Sequence, residues 1–208
     1  MADAIQVAVR NGALVNQATA AGNQLGEQLV AIGLPRGAEM VRKGNAWATM
    51  ATSAVAGLVV RPSTAAAFEL FNGNNVGGKS LIIDQIFTFN LVSTNVIEGF
   101  SLWAQVTAPK SAPSSASLVV RGSSGKPYTG SSVNAVATTV IDSGWFPWTN
   151  AYQKGAGGVV PFGAVIAEVD GRLIVPPQCS LCLHVVSSLV GQTFTSGARW
   201  YEETISLE

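Results

Sequence analysis

The chain has 208 residues, and only 12% of them are charged, against about 25% in a typical soluble domain. Its 12 basic and 12 acidic residues give a formal net charge of zero. This balance argues against a sequence-independent nucleic-acid binder, which needs a basic surface. A surface so poor in charge predicts apolar contacts with copies of the chain or with a partner.

Targeting signals are not evident in the sequence. The first residues lack a basic stretch followed by an apolar run, so no signal peptide is predicted. No stretch reaches the roughly 18 apolar residues of a membrane span, so no membrane partner is expected. Cys179 and Cys182 are too few for a disulfide framework, which favours a reducing compartment.

Residues 1–45 are predicted to form an extended, partly helical N-terminal arm. Apolar residues, among them Leu25 and Leu29, recur every three or four positions from Asn16 to Ile32. The apolar stripe is thin, and a short isolated helix is marginal in water. We therefore expect Leu25, Leu29 and Ile32 to contact a partner copy. An arm that is disordered, or that folds across its own β domain, remains the alternative.

Residues 46–208 are predicted to form one β domain, because small and β-branched residues dominate and turn signals recur at short intervals. The predicted β segments, in chain order, are 46–60, 66–71, 81–91, 99–107, 118–121, 133–141, 159–169, 172–175, 181–189 and 193–206. No alternation of strands and helices occurs, which argues against a parallel α/β fold. The prediction is all-β: an antiparallel two-sheet, jelly-roll-like sandwich preceded by the arm. An immunoglobulin-like sandwich is the alternative.

The clearest strand is 81–91. Its period of two predicts that Ile83, Phe87, Phe89 and Leu91 share one face. Eleven extended residues span roughly 37 Å, which is long for a strand. A bend or a bulge is therefore expected within it.

Two turns are predicted from Asn, Asp and Gly residues, which tolerate positive φ. The first is 72–78, between two strands. The second is the pair Asp170-Gly171, which predicts a hairpin that joins 159–169 to 172–175.

The residue types that commonly act in catalysis or metal binding do not predict an enzyme here. His184 is the only histidine, and with Cys179 and Cys182 it supplies three local zinc ligands where four are needed. A Ser-His-Asp hydrolase would have to use His184, and no Gly-x-Ser-x-Gly motif accompanies it. A redox role for the cysteines would need a helix N-terminus, which the β context does not provide.

The string Gly73-x-x-x-x-Gly78-Lys79-Ser80 matches a phosphate-binding loop in form. The residues that follow it have the period of a strand, whereas phosphate binding requires a helix there. Paired carboxylates could hydrolyse a glycoside if they faced each other across a cleft. The candidates are Asp84, Glu98, Asp142, Glu168, Asp170, Glu202 and Glu203. We assign no catalytic residue, no cofactor and no metal, and we expect a protein that is not an enzyme.

Aromatic residues gather at Trp145, Phe146, Trp148 and Tyr152, between glycines that predict a loop. Trp and Tyr are favoured anchors of protein interfaces. We therefore predict that these four side chains make a subunit contact or cover the core. The alternative is that they bind a sugar or a receptor.

Three short stretches resemble small β-sandwich structural proteins of tailed-phage and related virions: 62–73, 78–84 and 198–202. The three stretches comprise 24 of the 208 residues, and they carry no catalytic signature. It implies a virion protein made in the host cytoplasm, such as a decoration or head/tail accessory subunit. The expected partners are copies of the chain, as a trimer, and other virion proteins such as the major capsid protein. A carbohydrate-binding or receptor-binding module is the alternative.

Overall fold

The computed structural model describes residues 6–8, 14–16, 36–93, 99–114, 121–140, 144–152 and 163–205. The chain divides into two compact units, Met1–Lys43 and Gly44–Glu208. In the first unit, strands β1 (Gln6–Ala8) and β2 (Leu14–Asn16) pair antiparallel. Helix α1 spans Arg36–Lys43.

Helix α1 was not predicted from the sequence, and it is the one helix of the described residues. Glu39 in its first turn forms an ion pair with Arg42 in its last turn, with 2.7 Å between Nη2 and Oε1. An acidic first turn and a basic last turn both complement the helix dipole. No helix among the described residues is long and apolar enough to cross a membrane.

The predicted arm helix falls on residues that the structure does not describe, apart from Asn16, the last residue of β2. Its three interface candidates, Leu25, Leu29 and Ile32, lie outside the described residues as well. Their contact with a partner copy stays a prediction.

The second unit consists of β-strands. In chain order they are β3 (Ala46–Met50), β4 (Val55–Ala56), β5 (Ala65–Phe71), β6 (Ser80–Ser93), β7 (Gly99–Val106), β8 (Arg121–Gly122), β9 (Val133–Thr139), β10 (Phe146–Tyr152), β11 (Ala164–Glu168), β12 (Ile174–Val175), β13 (Ser180–Ser187) and β14 (Gln192–Glu203). All paired strands run antiparallel. The predicted all-β class is confirmed.

The strands form two sheets in a jelly-roll-like order. The larger sheet runs β11-β6-β14-β3-β8, with β12 beside β6 and β4 beside β14. The smaller sheet runs β10-β7-β13-β5-β9. Late strands therefore sit between early ones: β14 lies between β3 and β6, and β13 lies between β5 and β7. This interleaving is the double Greek-key arrangement of a jelly roll, as predicted.

The two sheets share one apolar core. Phe68 and Leu183 of the smaller sheet and Ile86 and Trp200 of the larger sheet belong to the same buried cluster. Each fully buried side chain of this size contributes roughly 1.5–3 kcal/mol to folding. Side chains alternate between the two faces of a strand, so the residues between those that point into the core lie on the outer faces of the sheets.

Strand β6 contains the predicted irregularity, and it overturns the predicted face. Opposite strand β14 the register shifts twice. Asp84 is the extra residue in β6 between the partners of Arg199 and Trp200, and Leu91 is the extra residue between the partners of Thr193 and Phe194. A bulge of this kind reverses the alternation of side chains. Ile83 is therefore buried in the core, whereas Phe87 lies on the opposite face of the sheet, and the prediction that they share a face is wrong.

The predicted hairpin at Asp170-Gly171 is also wrong. Both residues have positive φ, 50° and 74°, as a tight turn requires. The flanking strands β11 and β12, however, both pair with β6 and not with each other. The backbone N–H groups of Val169 and Asp170 donate to the carbonyl of Asp84 at 2.7 and 3.1 Å. The turn is thus a kink opposite the β6 bulge. Strands β11 and β12 lie one after the other along β6 and do not form a hairpin.

Candidate binding surfaces

The zinc and redox candidates do not come together. Cys179 belongs to the core between the sheets, whereas Cys182 belongs to a separate buried cluster with Trp145, and neither cysteine forms a disulfide. Burial raises the pKa of the Cys179 thiol. Among the described residues no group of three His, Cys, Asp or Glu side chains could hold a metal ion.

His184 is a buried residue whose ring packs edge-on to Trp145, with 6.4 Å between ring centroids. Nδ1 of the ring lies 2.9 Å from the backbone nitrogen of Val185 and 3.2 Å from its carbonyl oxygen. Burial holds the pKa of His184 below its usual range. These contacts give His184 a structural role as a neutral side chain.

We expect the protein to lose stability as the pH falls from 7.5 to 5.5. Below an ordinary histidine pKa of about 6.5, His184 binds a proton in the unfolded chain but stays neutral in the folded chain. The free energy of unfolding therefore falls by at most about 1.4 kcal/mol for each pH unit. Urea denaturation across this range measures the slope. His184→Gln should flatten it, because the chain has no other histidine. A wild-type slope that persists in the variant would contradict this assignment.

The glycine-rich loop from Asn72 to Gly78 leads into strand β6, as predicted, and not into a helix. Asn72 is fully buried, and its amide Nδ2 donates to the carbonyls of Lys79 and Val175 at 2.9 and 3.0 Å. A Cβ on Gly73 would lie 2.2 Å from the carbonyl oxygen of Ser131. Side chains of the chain itself therefore organise this loop, and the formal phosphate-loop match has a structural explanation.

The carboxylate candidates that the structure describes lie at several positions of the larger sheet, with Glu168 at the end of β11 beside Gln85. Asp84 lies at the bulge of β6, and Asp170 lies in the turn opposite it. Glu202 is buried, and its Oε1 accepts hydrogen bonds from the Tyr128 hydroxyl at 2.6 Å and from the Trp200 indole at 3.3 Å. Glu203 is the last residue of β14, whereas Glu98 and Asp142 lie outside the described residues.

The aromatic candidates lie at and along strand β10, so their prediction as a loop is wrong. Trp145 is only 2% exposed, and its indole N–H donates to the carbonyl of Ser63 at 2.8 Å. Phe146 is 39% exposed and lies 5.7 Å from the Trp148 ring, between centroids. Tyr152 is the last residue of β10 and pairs with Gly99. Their use in a subunit contact stays a prediction.

An aromatic groove of about 510 Å³ lies between the edge strands β10 and β11. Phe146, Trp148 and Ile166 line it, together with Glu168 and Arg172. The Arg172 guanidinium stands over the Trp148 ring at 5.3 Å from its centroid and donates to the carbonyl of Glu168 at 2.8 Å. The groove thus combines aromatic faces with one charge of each sign.

The outer face of the larger sheet carries a row of apolar residues across four strands. The register places Met50, Gly197, Phe87 and Ile166 side by side, and we call these four residues the apolar row. Ile166 is 59% exposed, and Met50 is also exposed. A Cβ on Gly197 would lie 2.6 Å from the Phe87 ring, so the missing side chain is what lets this ring lie flat on the sheet.

A polar row borders the apolar row on the same face. Arg199, Gln85 and Glu168 are adjacent in register, two residues along their strands. Arg199 Nη1 donates to Gln85 Oε1 at 3.0 Å, and the Gln85 amide donates to Glu168. The row therefore carries a positive end on β14 and a negative end on β11.

Sequence reasoning missed a buried acidic residue in the smaller sheet. Glu69 of β5 is fully buried, and its Oε1 accepts hydrogen bonds from Lys110 Nζ and Ser180 Oγ, each at 2.6 Å. The signal was present, because Glu69 is the one charge in the otherwise apolar run of β5. A pocket of about 370 Å³ opens beside it.

Together the fold and these surfaces define an all-β sandwich with jelly-roll-like strand order. Comparison of the chain with protein-family models, with curated proteins and with solved structures finds no match.

Proposed function

We propose that this chain is a non-enzymatic structural subunit of a virus particle that acts through contacts with copies of itself and with the capsid. A decoration or head/tail accessory subunit is the expected kind, and a trimer is the expected assembly. The observation that carries the proposal is the apolar row. Jelly-roll folds serve as viral capsid domains and as lectins, so the fold supports this class without selecting it.

The partner that best fits the apolar row is another copy of the chain. The chain has a formal net charge of zero, so copies do not repel one another through net charge. The adjoining polar row is self-complementary, because Arg199 at one end can meet Glu168 of a second copy. Burial of the exposed apolar side chains supplies the driving force, at about 25 cal/mol per Å² before the costs of association.

We expect Ile166→Lys to dissociate the assembly. A charge placed in an apolar contact weakens association at least about tenfold, because burying an unpaired ammonium costs more than the 1.4 kcal/mol that a tenfold change requires. Light scattering should give a multiple of 21.5 kDa for the wild type and a shift toward 21.5 kDa for the variant.

Val190→Lys is the matched control. Val190 is 66% exposed but lies between β13 and β14, outside the apolar row. This variant should keep the wild-type mass. A wild-type monomer at the highest soluble concentration, or equal masses for the two variants, would contradict the proposed self-association. Mass spectrometry of purified virus particles from the source cells tests the location.

The aromatic groove favours a second candidate function, the binding of a carbohydrate. Aromatic rings at a groove can stack on the apolar face of a sugar; Phe146 is exposed and Trp148 is half-buried, while Glu168 and Arg172 offer polar contacts. A glycan array should then show binding that Trp148→Ala and Phe146→Ala abolish. Trp145 is unsuitable for this test, since its indole is buried and its loss would perturb the fold.

A further inference from the structure

The smaller sheet carries a second cavity, at the opposite edge from the aromatic groove. Strands β5 and β9 lie at one edge of this sheet and β10 at the other. Phe68 and Leu70 point into the core, so Glu69 between them points to the outer face. Its neighbours in register are Ala135 of β9 and Cys182 of β13.

The segment that follows β7 forms a wall of this cavity. The N–H of Thr107 donates to the carbonyl of Ser180, and the N–H of Lys110 donates to that of Gln178, at 2.9 and 2.8 Å. These backbone bonds place the Lys110 ammonium against Oε1 of Glu69. The carboxylate therefore already has one cation and one hydroxyl on a single oxygen.

The other carboxylate oxygen has no such partner. Among the residues that the structure describes, none hydrogen-bonds to Glu69 Oε2 or to Thr138 Oγ1, and both atoms are buried. Buried polar atoms are nearly always paired, because an unpaired one retains the full cost of leaving water. Both residues line the pocket of about 370 Å³, a volume within the usual range of about 300–1,000 Å³ for small-molecule sites.

The backbone at the same pocket is strained. Ala137, which precedes Thr138 and also lines the pocket, has a φ of 52° although it is not a glycine. Non-glycine residues in this region are uncommon and concentrate where a ligand or a mechanism requires the conformation. The strain and the two unpaired oxygens thus coincide at one position of the sheet edge.

We infer that this pocket binds a small, neutral, polyhydroxylated molecule of the size of a monosaccharide. Lys110 already balances the Glu69 charge, so a neutral hydrogen-bond donor suits Oε2 better than a second cation. Hydroxyl groups of the ligand donate to Glu69 Oε2 and exchange hydrogen bonds with Thr138. Ser111 and Ser114 add further hydroxyls to the lining, and Pro113 offers an apolar surface for ring C–H groups.

Saturation-transfer NMR on the full chain tests this site with four probes, namely D-glucose, D-galactose, D-mannose and myo-inositol. At least one probe should bind, and Thr138→Val should weaken its binding about tenfold, because the near-isosteric change replaces the hydroxyl with a methyl group. Glu69→Gln should weaken it as well. Thr193→Val on the other sheet is the matched control and should leave binding unchanged.

Three outcomes overturn the inference. They are the absence of binding by all four probes, binding that survives both Thr138→Val and Glu69→Gln, and binding that Trp148→Ala alone removes. The last outcome would place the ligand in the aromatic groove. Because the readout is ligand binding and not molecular mass, the result is independent of the proposed self-association.

Discussion

Replacement of Trp200 by alanine is expected to lower the free energy of unfolding by about 3–5 kcal/mol. Trp200 has no exposed surface and belongs to the core cluster at the centre of the larger sheet. Its ring packs edge-on to Tyr128 at 6.3 Å between centroids, and its indole N–H donates to Glu202. The variant leaves a cavity and removes one donor from a buried carboxylate. Urea denaturation followed by circular dichroism measures the loss.

Arg199→Ala is the control for this experiment. Arg199 neighbours Trp200 on β14 but points to the outer face, where surface changes typically alter stability by about 0.5 kcal/mol or less. If Trp200→Ala lowered the free energy of unfolding by less than about 1 kcal/mol, the Trp200 side chain would not be buried in the core.

Asn72→Ala is expected to cost about 2–4 kcal/mol, although the change removes no apolar group. The Asn72 amide donates to the carbonyls of Lys79 and Val175, and its Oδ1 accepts from the backbone N–H of Asn74 at 3.1 Å. Loss of the side chain removes the donor to the Val175 carbonyl in a buried bond, and it removes two further hydrogen bonds that are partly buried. The free energy of unfolding at a fixed protein concentration is again the measurement.

Asn75→Ala in the same loop separates this effect from general loop disruption. Asn75 is exposed, so its replacement should change stability by about 0.5 kcal/mol or less. Equal losses in the two variants would show that the buried amide of Asn72 has no special role. An unchanged stability in Asn72→Ala would contradict the hydrogen-bond arrangement itself.

The sequence predicted the class of the fold because strand periodicity and turn residues are local signals. The sequence predicts less reliably which face of the sheet each side chain of a strand occupies, as β6 shows. One extra residue at Asp84 exchanges the two faces between Ile83 and Phe87, and this bulge lies in the pairing of β6 with β14, which is distant in sequence. Another long-range pairing explains the missing hairpin at Asp170-Gly171, because β11 and β12 both pair with β6 and the turn between them becomes a kink.

The candidate site was predicted only in part for related reasons. Trp145 and Phe146 are adjacent aromatic residues with the same sequence signal, yet Trp145 is buried and Phe146 is exposed. Their glycine-rich surroundings suggested a loop, whereas strand β7 offers a partner that converts the segment into β10. The pocket beside Glu69 could not be predicted, because Lys110 and Thr138 reach it only through the tertiary fold.

The central position of β14 has a consequence for how the protein is made. Strands β3 and β6 leave the ribosome long before β14, which later pairs with both of them. Until then each of these strands has an unsatisfied edge that can pair with another nascent chain. Contacts between such remote segments also slow folding. Productive synthesis therefore depends on keeping nascent chains apart, and lower temperature or slower expression should raise the soluble yield.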